Sequence, residues 1–110
     1  MVDRRSGNIY AKITVAKKKE MFRTLAQNKD LRIERIVSFG QTTPENTWLK
    51  EPRDEWVIVL KGAAELRFQR TRRRVSLKEG DYILIPANTS HRVERTHQRK
   101  KTIWLAVHSA

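Results

Sequence analysis

Histidine and carboxylate side chains are the groups in this sequence best suited to form a functional site. The chain has 110 residues, three histidines and no cysteine. Without cysteine, disulfides, zinc–thiolate sites and thiol nucleophiles are excluded. The sequence also has neither a Ser-His-Asp order nor a glycine-rich loop of the kind that cradles phosphate. The candidates are therefore imidazole groups and the acids that the fold brings to them.

His91 is the best single candidate because of the segment around it, Gly80 to Val93. A turn glycine precedes the apolar run Tyr82 to Ile85, and Pro86 ends that run because proline cannot donate to a sheet ladder. Asn88 tolerates left-handed backbone, so we expect the chain to reverse there. The pattern predicts a strand, a tight loop and a second strand that starts at His91 and aims its imidazole back toward the first.

The rest of the chain is typical of short strands separated by turns. Alternating side chains predict half-buried strands over residues 8–15, 31–39 and 63–69, and closing strands over 91–95 and 102–108. Residues 55–60 are apolar on both faces, so we expect cover on both sides. The apolar residues of segment 20–27 have helical spacing, which predicts a short helix or turn. Residues 1–7 are expected to form a flexible arm. Residues 8–110 are expected to form one all-β sandwich or barrel.

The segment around His91 resembles the second signature of the cupin family. That signature is a glycine, five residues and a proline, followed by a glycine, a histidine and an asparagine at set spacings. Gly80, Pro86 and His91 match it, whereas Asn88 replaces the second glycine and Arg95 replaces the asparagine. The run from Leu31 to His108 is also similar to small single-domain cupins that end in Trp-Leu-Ala-Val-His.

Part of the first cupin signature lies upstream, where Glu55 and Gly62 match the family's glutamate, six residues and glycine. The family places a His-x-His pair before this glutamate, and this chain has no histidine before residue 91. Two of the four usual metal ligands are therefore missing. The residues that stand in the place of this pair are Trp48 and Lys50, or, with the other spacing, Leu49 and Glu51.

The resemblance implies a double-stranded β-helix, or jelly roll, with one divalent metal ion: iron, manganese, nickel or zinc. It implies Glu55 and His91 as metal ligands. His108 is a third candidate because it shares strand parity with Trp104 and Ala106, and two imidazoles with one carboxylate suit iron or zinc. The alternative is that no metal binds: His91 is structural, Glu55 pairs with an arginine and His108 is solvated.

The predicted ligand pocket consists of Trp48, Lys50, Glu55, His91 and Arg95. Trp48 would wall the pocket, and Lys50 would bind an anionic ligand or act as a base. Arg95 shares strand parity with His91 and would hold a carboxylate or phosphate, unless it is a strand-end arginine that reaches solvent. Which residues are catalytic, if any, the sequence leaves open.

The leading functional hypothesis is a small cupin that binds a polar or anionic small molecule and holds a divalent metal. Metal-dependent oxygenation or sugar isomerisation is what the family suggests if the protein is an enzyme. The first alternative is a metal-free ligand-sensing or structural module. The net charge of +12 invites a second, a nucleic-acid-associated protein that uses basic tips at residues 70–74 and 95–101. A charged soluble surface explains the same charge and is favoured.

Location and assembly are expected from the apolar residues. The longest apolar runs, Trp56 to Leu60 and Ile103 to Val107, are far shorter than the ~20 residues that cross a bilayer. The amino terminus lacks the apolar core of a secretory signal. We therefore expect a cytoplasmic protein without a membrane partner. A homodimer is expected because Trp56, Ile58 and Leu60 need cover that one small barrel does not supply.

Overall fold

The computed structural model describes residues 5–16 and 19–109. Within these residues the chain forms eight β-strands and no helix, and every strand pairing is antiparallel. The strands are β1 (Met21–Gln27), β2 (Leu31–Ser38), β3 (Asp54–Lys61), β4 (Ala63–Phe68), β5 (Arg74–Lys78), β6 (Tyr82–Ile85), β7 (His91–Thr96) and β8 (Thr102–Ser109).

The strands form two sheets that enclose the hydrophobic core. One sheet has five strands in the order β1-β2-β8-β3-β6, and the other has three in the order β5-β4-β7. Their inward side chains meet in one cluster, as expected for two stacked sheets. The cluster consists of Val57, Val59, Ala64, Leu66, Leu77, Ile85, Trp104 and Ala106. The predicted all-β jelly-roll fold is therefore confirmed.

The predicted helix or turn over residues 20–27 is wrong, because this segment is strand β1. Its apolar residues mimic helical spacing since a β-bulge interrupts the pairing with β2 between Thr24 and Ala26. One extra residue at that point shifts the in–out alternation, so Phe22 and Leu25 no longer follow a period of two. Most of β1 is exposed, and the strand lies at the edge of the five-stranded sheet.

The predicted strand over residues 8–15 is also wrong. This segment has a turn at residues 9–12, and it has no strand partner. Arg35 of β2 holds it in place, because the Nη1 of this buried arginine donates to the carbonyl oxygens of Ile9 at 3.0 Å and Ala11 at 2.8 Å. Residues 1–4 of the predicted arm lie outside the described residues.

Strand β3 is apolar on both faces, and the two faces differ in their cover. Val57 and Val59 face the core and are buried. Trp56 lies on the other face, where its ring is 5.6 Å from that of Tyr82, and Tyr82 remains 65% exposed. This outer apolar surface is the one for which the sequence predicts a second subunit, and the homodimer stays a prediction.

The described part of the chain contains no helix with the length and hydrophobicity that crossing a membrane would require.

Two turn glycines provide a matched test of the packing between the strands. Gly62 and Gly80 both have left-handed backbone, with φ of 86° and 87°. A Cβ on Gly62 would lie 2.5 Å from Thr102 Oγ1 and 2.7 Å from the Lys101 carbonyl oxygen, whereas a Cβ on Gly80 would meet nothing within 4 Å. We expect Gly80→Ala to cost about 1–2 kcal/mol of backbone strain.

Gly62→Ala should cost clearly more, because the backbone of β8 must move to admit the methyl group. Urea denaturation of the two variants and the wild-type protein measures both losses in the free energy of unfolding. Equal losses would show that steric contact at the β3–β4 turn is unimportant.

Candidate functional site

A cavity of about 360 Å³ lies between the two sheets. Its apolar lining consists of Phe22, Ile36, Leu49, Val57, Leu66, Ile85, Val93 and Trp104. Its charged and polar lining consists of Glu20, Arg32, Glu34, Glu51, Glu55, His91 and His108. A concave, mostly apolar space with a few convergent polar groups is the usual form of a small-molecule site.

Strand register places a carboxylate beside an imidazole on the cavity floor. Glu55 of β3 and His108 of β8 are directly paired residues, and both side chains point inward. His108 Nε2 is 3.5 Å from Glu55 Oε2 and 2.9 Å from Glu34 Oε1 of β2. The shorter contact is a buried hydrogen bond in which the imidazole N–H donates to the Glu34 carboxylate.

The second imidazole, that of His91, enters the cavity from the opposite sheet. The predicted loop is present: Asn88 has a left-handed φ of 61°, and His91 is the first residue of β7. Two backbone hydrogen bonds with Leu49, of 2.7 and 3.0 Å, hold the His91 main chain. The Nδ1–H of His91 donates to the Thr89 carbonyl oxygen at 2.9 Å, because a carbonyl can only accept.

The Nε2 atom of His91 consequently faces the cavity, 3.8 Å from Glu55 Oε1. Glu55 thus lies between two imidazoles, and the row of alternating groups runs His91, Glu55, His108, Glu34. At its far end, Arg32 Nε is 3.9 Å from Glu34 Oε2. The row joins both sheets across the cavity, and we call it the carboxylate–imidazole row.

Burial dominates the electrostatics of Glu55. Removal from water raises the pKa of Glu55, while the positive charge that His108 and His91 can carry lowers it in part. The neighbouring carboxylates of Glu34 and Glu51 raise the pKa of Glu55 further. A carboxyl group in a cavity whose pKa is raised by burial is a candidate for proton transfer.

A second polar chain fixes the aromatic wall of the cavity. The indole Nε1–H of Trp104 donates to Ser38 Oγ at 3.1 Å, and the Ser38 hydroxyl in turn donates to the carboxylate of Glu20. Burial raises the pKa of Glu20, and the hydrogen bond from Ser38 opposes that rise. This chain orients the indole, whose side chain is only 4% exposed.

Three of the five predicted pocket residues do not line this cavity. Trp48 lies in a separate surface cleft, where the Arg92 guanidinium is 5.9 Å from the centre of its ring. Lys50 is exposed. The backbone bridge between Leu49 and His91 turns Leu49 inward, and the alternation brings Glu51 to the cavity as well. Of the two spacings that the sequence allows for the missing histidines, Leu49 and Glu51 are the cavity residues.

Arg95 does not share the inward face of His91, because β7 contains a bulge. Leu66 pairs with Val93 while the preceding residue, Glu65, pairs with Arg95, so Glu94 is an extra residue that reverses the alternation. The Arg95 side chain is 71% exposed, and its Nη2 is 3.5 Å from Glu65 Oε2. Of the predicted pocket residues, Glu55 and His91 line the cavity. His108, which was predicted as a metal ligand, lines it as well.

The cavity lining also includes Glu20, Arg32 and Glu34, which are not among the predicted site residues. In β2, the side chains of Arg32 and Glu34 are on the face that lines the cavity. Most apolar residues of this strand are on the opposite face, which is turned outward against residues 9–11. The signal that was available is Ile36, an apolar residue on the cavity-lining face, which packs against the core.

The predicted metal ligands share one cavity, but they do not form a metal cage. In residues 5–16 and 19–109, no group of three or more His, Cys, Asp or Glu side chains is arranged to hold a metal ion. A physical reason is that His108 Nε2, the atom that would coordinate, already donates to Glu34. The set Glu55, His91 and His108 therefore does not fit a bound metal in this arrangement.

The fold and cavity define a small, two-sheeted β-barrel protein with an internal polar site. The family described as "Cupin domain" matches residues 36–108. The chain belongs to this family, so the resemblance noted from the two signatures is confirmed. A search of curated proteins gives no match.

Solved structures agree with this assignment. One from Ralstonia eutropha JMP134, described as "a putative mannose-6-phosphate isomerase", is 38% identical, covers 94% of this chain and 96% of its own, and has a TM-score of 0.89. A structure from Thermus thermophilus is 16% identical over 96% of each chain, with a TM-score of 0.80. A cupin superfamily protein from Desulfitobacterium hafniense DCB-2 is 17% identical over 88% of this chain and 83% of its own, with a TM-score of 0.73. The last two show the fold alone.

The raised pKa of Glu20 predicts a pH dependence of stability. Between its ordinary pKa of 4.5 and the higher folded value, the folded protein holds a proton that the unfolded chain has lost. The contribution of this proton to the free energy of unfolding is fully present below pH 4.5. It is lost as the pH rises through the folded pKa, by about 1.4 kcal/mol for each unit by which the folded pKa exceeds the ordinary one. Glu20→Gln removes this loss.

We therefore expect the stability of Glu20→Gln relative to wild type to increase from pH 4 to pH 7 in urea denaturation. Glu79→Gln, which removes an exposed carboxyl group in the same way, supplies the matched control. A pH-independent difference for Glu20→Gln would contradict the burial argument.

Proposed function

We propose that the protein binds a small polar molecule in the cavity between its sheets, with the carboxylate–imidazole row as the recognition element. The single observation that supports this most strongly is the position of Glu55 between His91 and His108 inside a cavity of about 360 Å³. The row offers both hydrogen-bond donors and acceptors to a ligand of a few polar groups.

The energetic cost of the row supports a functional role. Burying ionisable groups opposes folding unless each group is well paired, and an apolar core of similar volume is often as stable. Glu55 meets its two imidazoles only at 3.5 and 3.8 Å, so its pairing is loose. Perturbed ionisable groups that converge in a cavity are more typical of binding and catalytic sites than of structural cores.

A panel of small polar compounds tests the proposal by thermal denaturation. A compound that binds only the folded protein at 100 times its Kd stabilises it by about 2.7 kcal/mol, which is a shift of several degrees in Tm. We expect such a shift for wild type and for Glu79→Gln, and its loss in Glu55→Gln. An undiminished shift in Glu55→Gln, or no protective compound at all, would contradict the proposal.

A second candidate is sugar isomerisation, favoured by the raised pKa of Glu55 and by the description of the 38% identical structure. Moving a proton between neighbouring carbons of a sugar needs a general base whose pKa lies near the working pH. Deuterium exchange into mannose in D₂O would reveal the proton transfer by NMR. Glu55→Gln should abolish any exchange, and an exchange rate that survives this substitution would exclude Glu55 as the base.

The divalent metal that the resemblance implies is not required by this proposal, because the donor groups of residues 5–16 and 19–109 are arranged as pairs and not as a cage. We expect chelator treatment to leave the Tm of the protein unchanged, with elemental analysis before and after as the measurement. One equivalent of iron, manganese, nickel or zinc, lost together with several degrees of Tm and absent from His91→Ala, would restore the metal hypothesis.

The cytoplasmic location and the homodimer stay predictions, and the nucleic-acid partner stays the less favoured alternative. Each rests on composition and on exposed side chains, and none bears on how the cavity would recognise a small molecule.

A further inference from the structure

The cavity and the surface of this protein have opposite electrical character. The chain as a whole carries a net charge of +12. Among the residues that the structure describes, the cavity is in contrast lined by four carboxyl groups and by one residue with a permanent positive charge, Arg32. The four acids are Glu20, Glu34, Glu51 and Glu55.

Arg32, the permanent cation among the described lining residues, lies beside an acid of the protein. Arg32 Nε is 3.9 Å from Glu34 Oε2, so the nearest charge to the guanidinium is already a carboxylate. The imidazoles of His91 and His108 face Glu55 and Glu34 in the same way. Every group of the row that can carry a positive charge therefore has an acid of the protein within 4 Å.

The cations that the sequence offered for anion binding lie elsewhere. Arg95 is exposed and paired with Glu65, and Lys50 is not part of the cavity lining. Arg92 was not among those candidates, and its guanidinium donates to the carbonyl oxygens of Thr43, Pro44 and Thr47. An anion is thus attracted to the outside of the protein, but in the cavity it would meet mainly carboxyl oxygens.

We propose that the cavity selects ligands that carry no negative charge and that present hydroxyl or amino hydrogen-bond donors, and that it rejects phosphorylated ligands. This inference rests on the proposed ligand-binding function and names the chemical class of its ligand. Carboxyl oxygens accept hydrogen bonds from such donors, whereas a phosphate brings only acceptors and negative charge. Glu51, an exposed residue, extends the acidic lining of the cavity to the protein surface.

Fluorescence quenching tests this selectivity without a known ligand. Trp104 lines the cavity and is 4% exposed, and the chain has two other tryptophans, Trp48 and Trp56. In the Trp48→Phe/Trp56→Phe protein only Trp104 fluoresces. We expect neutral acrylamide and cationic caesium to quench it, and anionic iodide to quench it several-fold less.

The matched control keeps Trp56, on the outer face of β3, as the single fluorophore by means of Trp48→Phe/Trp104→Phe. If this variant does not fold, N-acetyl-tryptophanamide added to the wild-type buffer provides the reference. The +12 surface should make iodide the better ionic quencher of Trp56. Quenching of Trp104 by iodide as strong as by caesium would overturn the inference while leaving the ligand cavity in place, since acrylamide reports access independently.

Two further outcomes are decisive. Failure of all three quenchers to reach Trp104 would overturn both this inference and the proposed function. In the Trp104-only background, Glu51→Gln should raise iodide quenching, and Glu79→Gln, an exposed residue outside the cavity lining, should leave it unchanged. Equal effects of the two substitutions would show that net charge, and not the cavity lining, controls anion access.

Discussion

The site depends on the register between β3 and β8, which sets Glu55 directly opposite His108. Successive side chains of a strand point to opposite faces, so a slip of one residue would expel Glu55 from the cavity and bring Asp54 or Trp56 into its place. Alternation along β3 then places Val57 and Val59 in the core on the same face as Glu55. Strand β3 therefore supplies both these two valines of the core and the inward-facing acid Glu55.

The loop from β6 to β7 shows what local sequence can specify. Gly80 and Asn88 both adopt left-handed backbone, and β6 ends at Ile85, immediately before Pro86. Each of these residues acts through its own backbone preference, so the path of the chain to His91 could be predicted without knowledge of distant contacts. The partner of this segment could not, because the bridge to Leu49 joins residues 42 positions apart and leaves no local trace.

Bulges and strand pairing account for what the sequence did not reveal. A single extra residue in β1 made a strand resemble a helix, and one in β7 turned Arg95 away from His91. Glu34 was overlooked for a related reason, since hydrophobicity alone does not say which face of β2 is inward. The outward face of β2 is covered by residues 9–11. Because Arg35 donates hydrogen bonds to this segment, a charged residue of β2 is buried on the side of the strand that faces away from the core. The fold class was predictable from alternation and turns, whereas the full carboxylate–imidazole row required the tertiary structure.

The net charge of this protein is a poor guide to the charge of its interior. Surface charges more than about 8 Å away are screened at physiological ionic strength, whereas charges that face each other across a cavity interact through less water and more strongly. The contacts of 2.9 to 3.9 Å along the row therefore outweigh the more distant cations of the surface. The high net charge governs how the whole molecule meets polyanions, while Glu55 and its neighbours set the charge inside the cavity. The two properties are set by different residues, so substitutions can change one without the other.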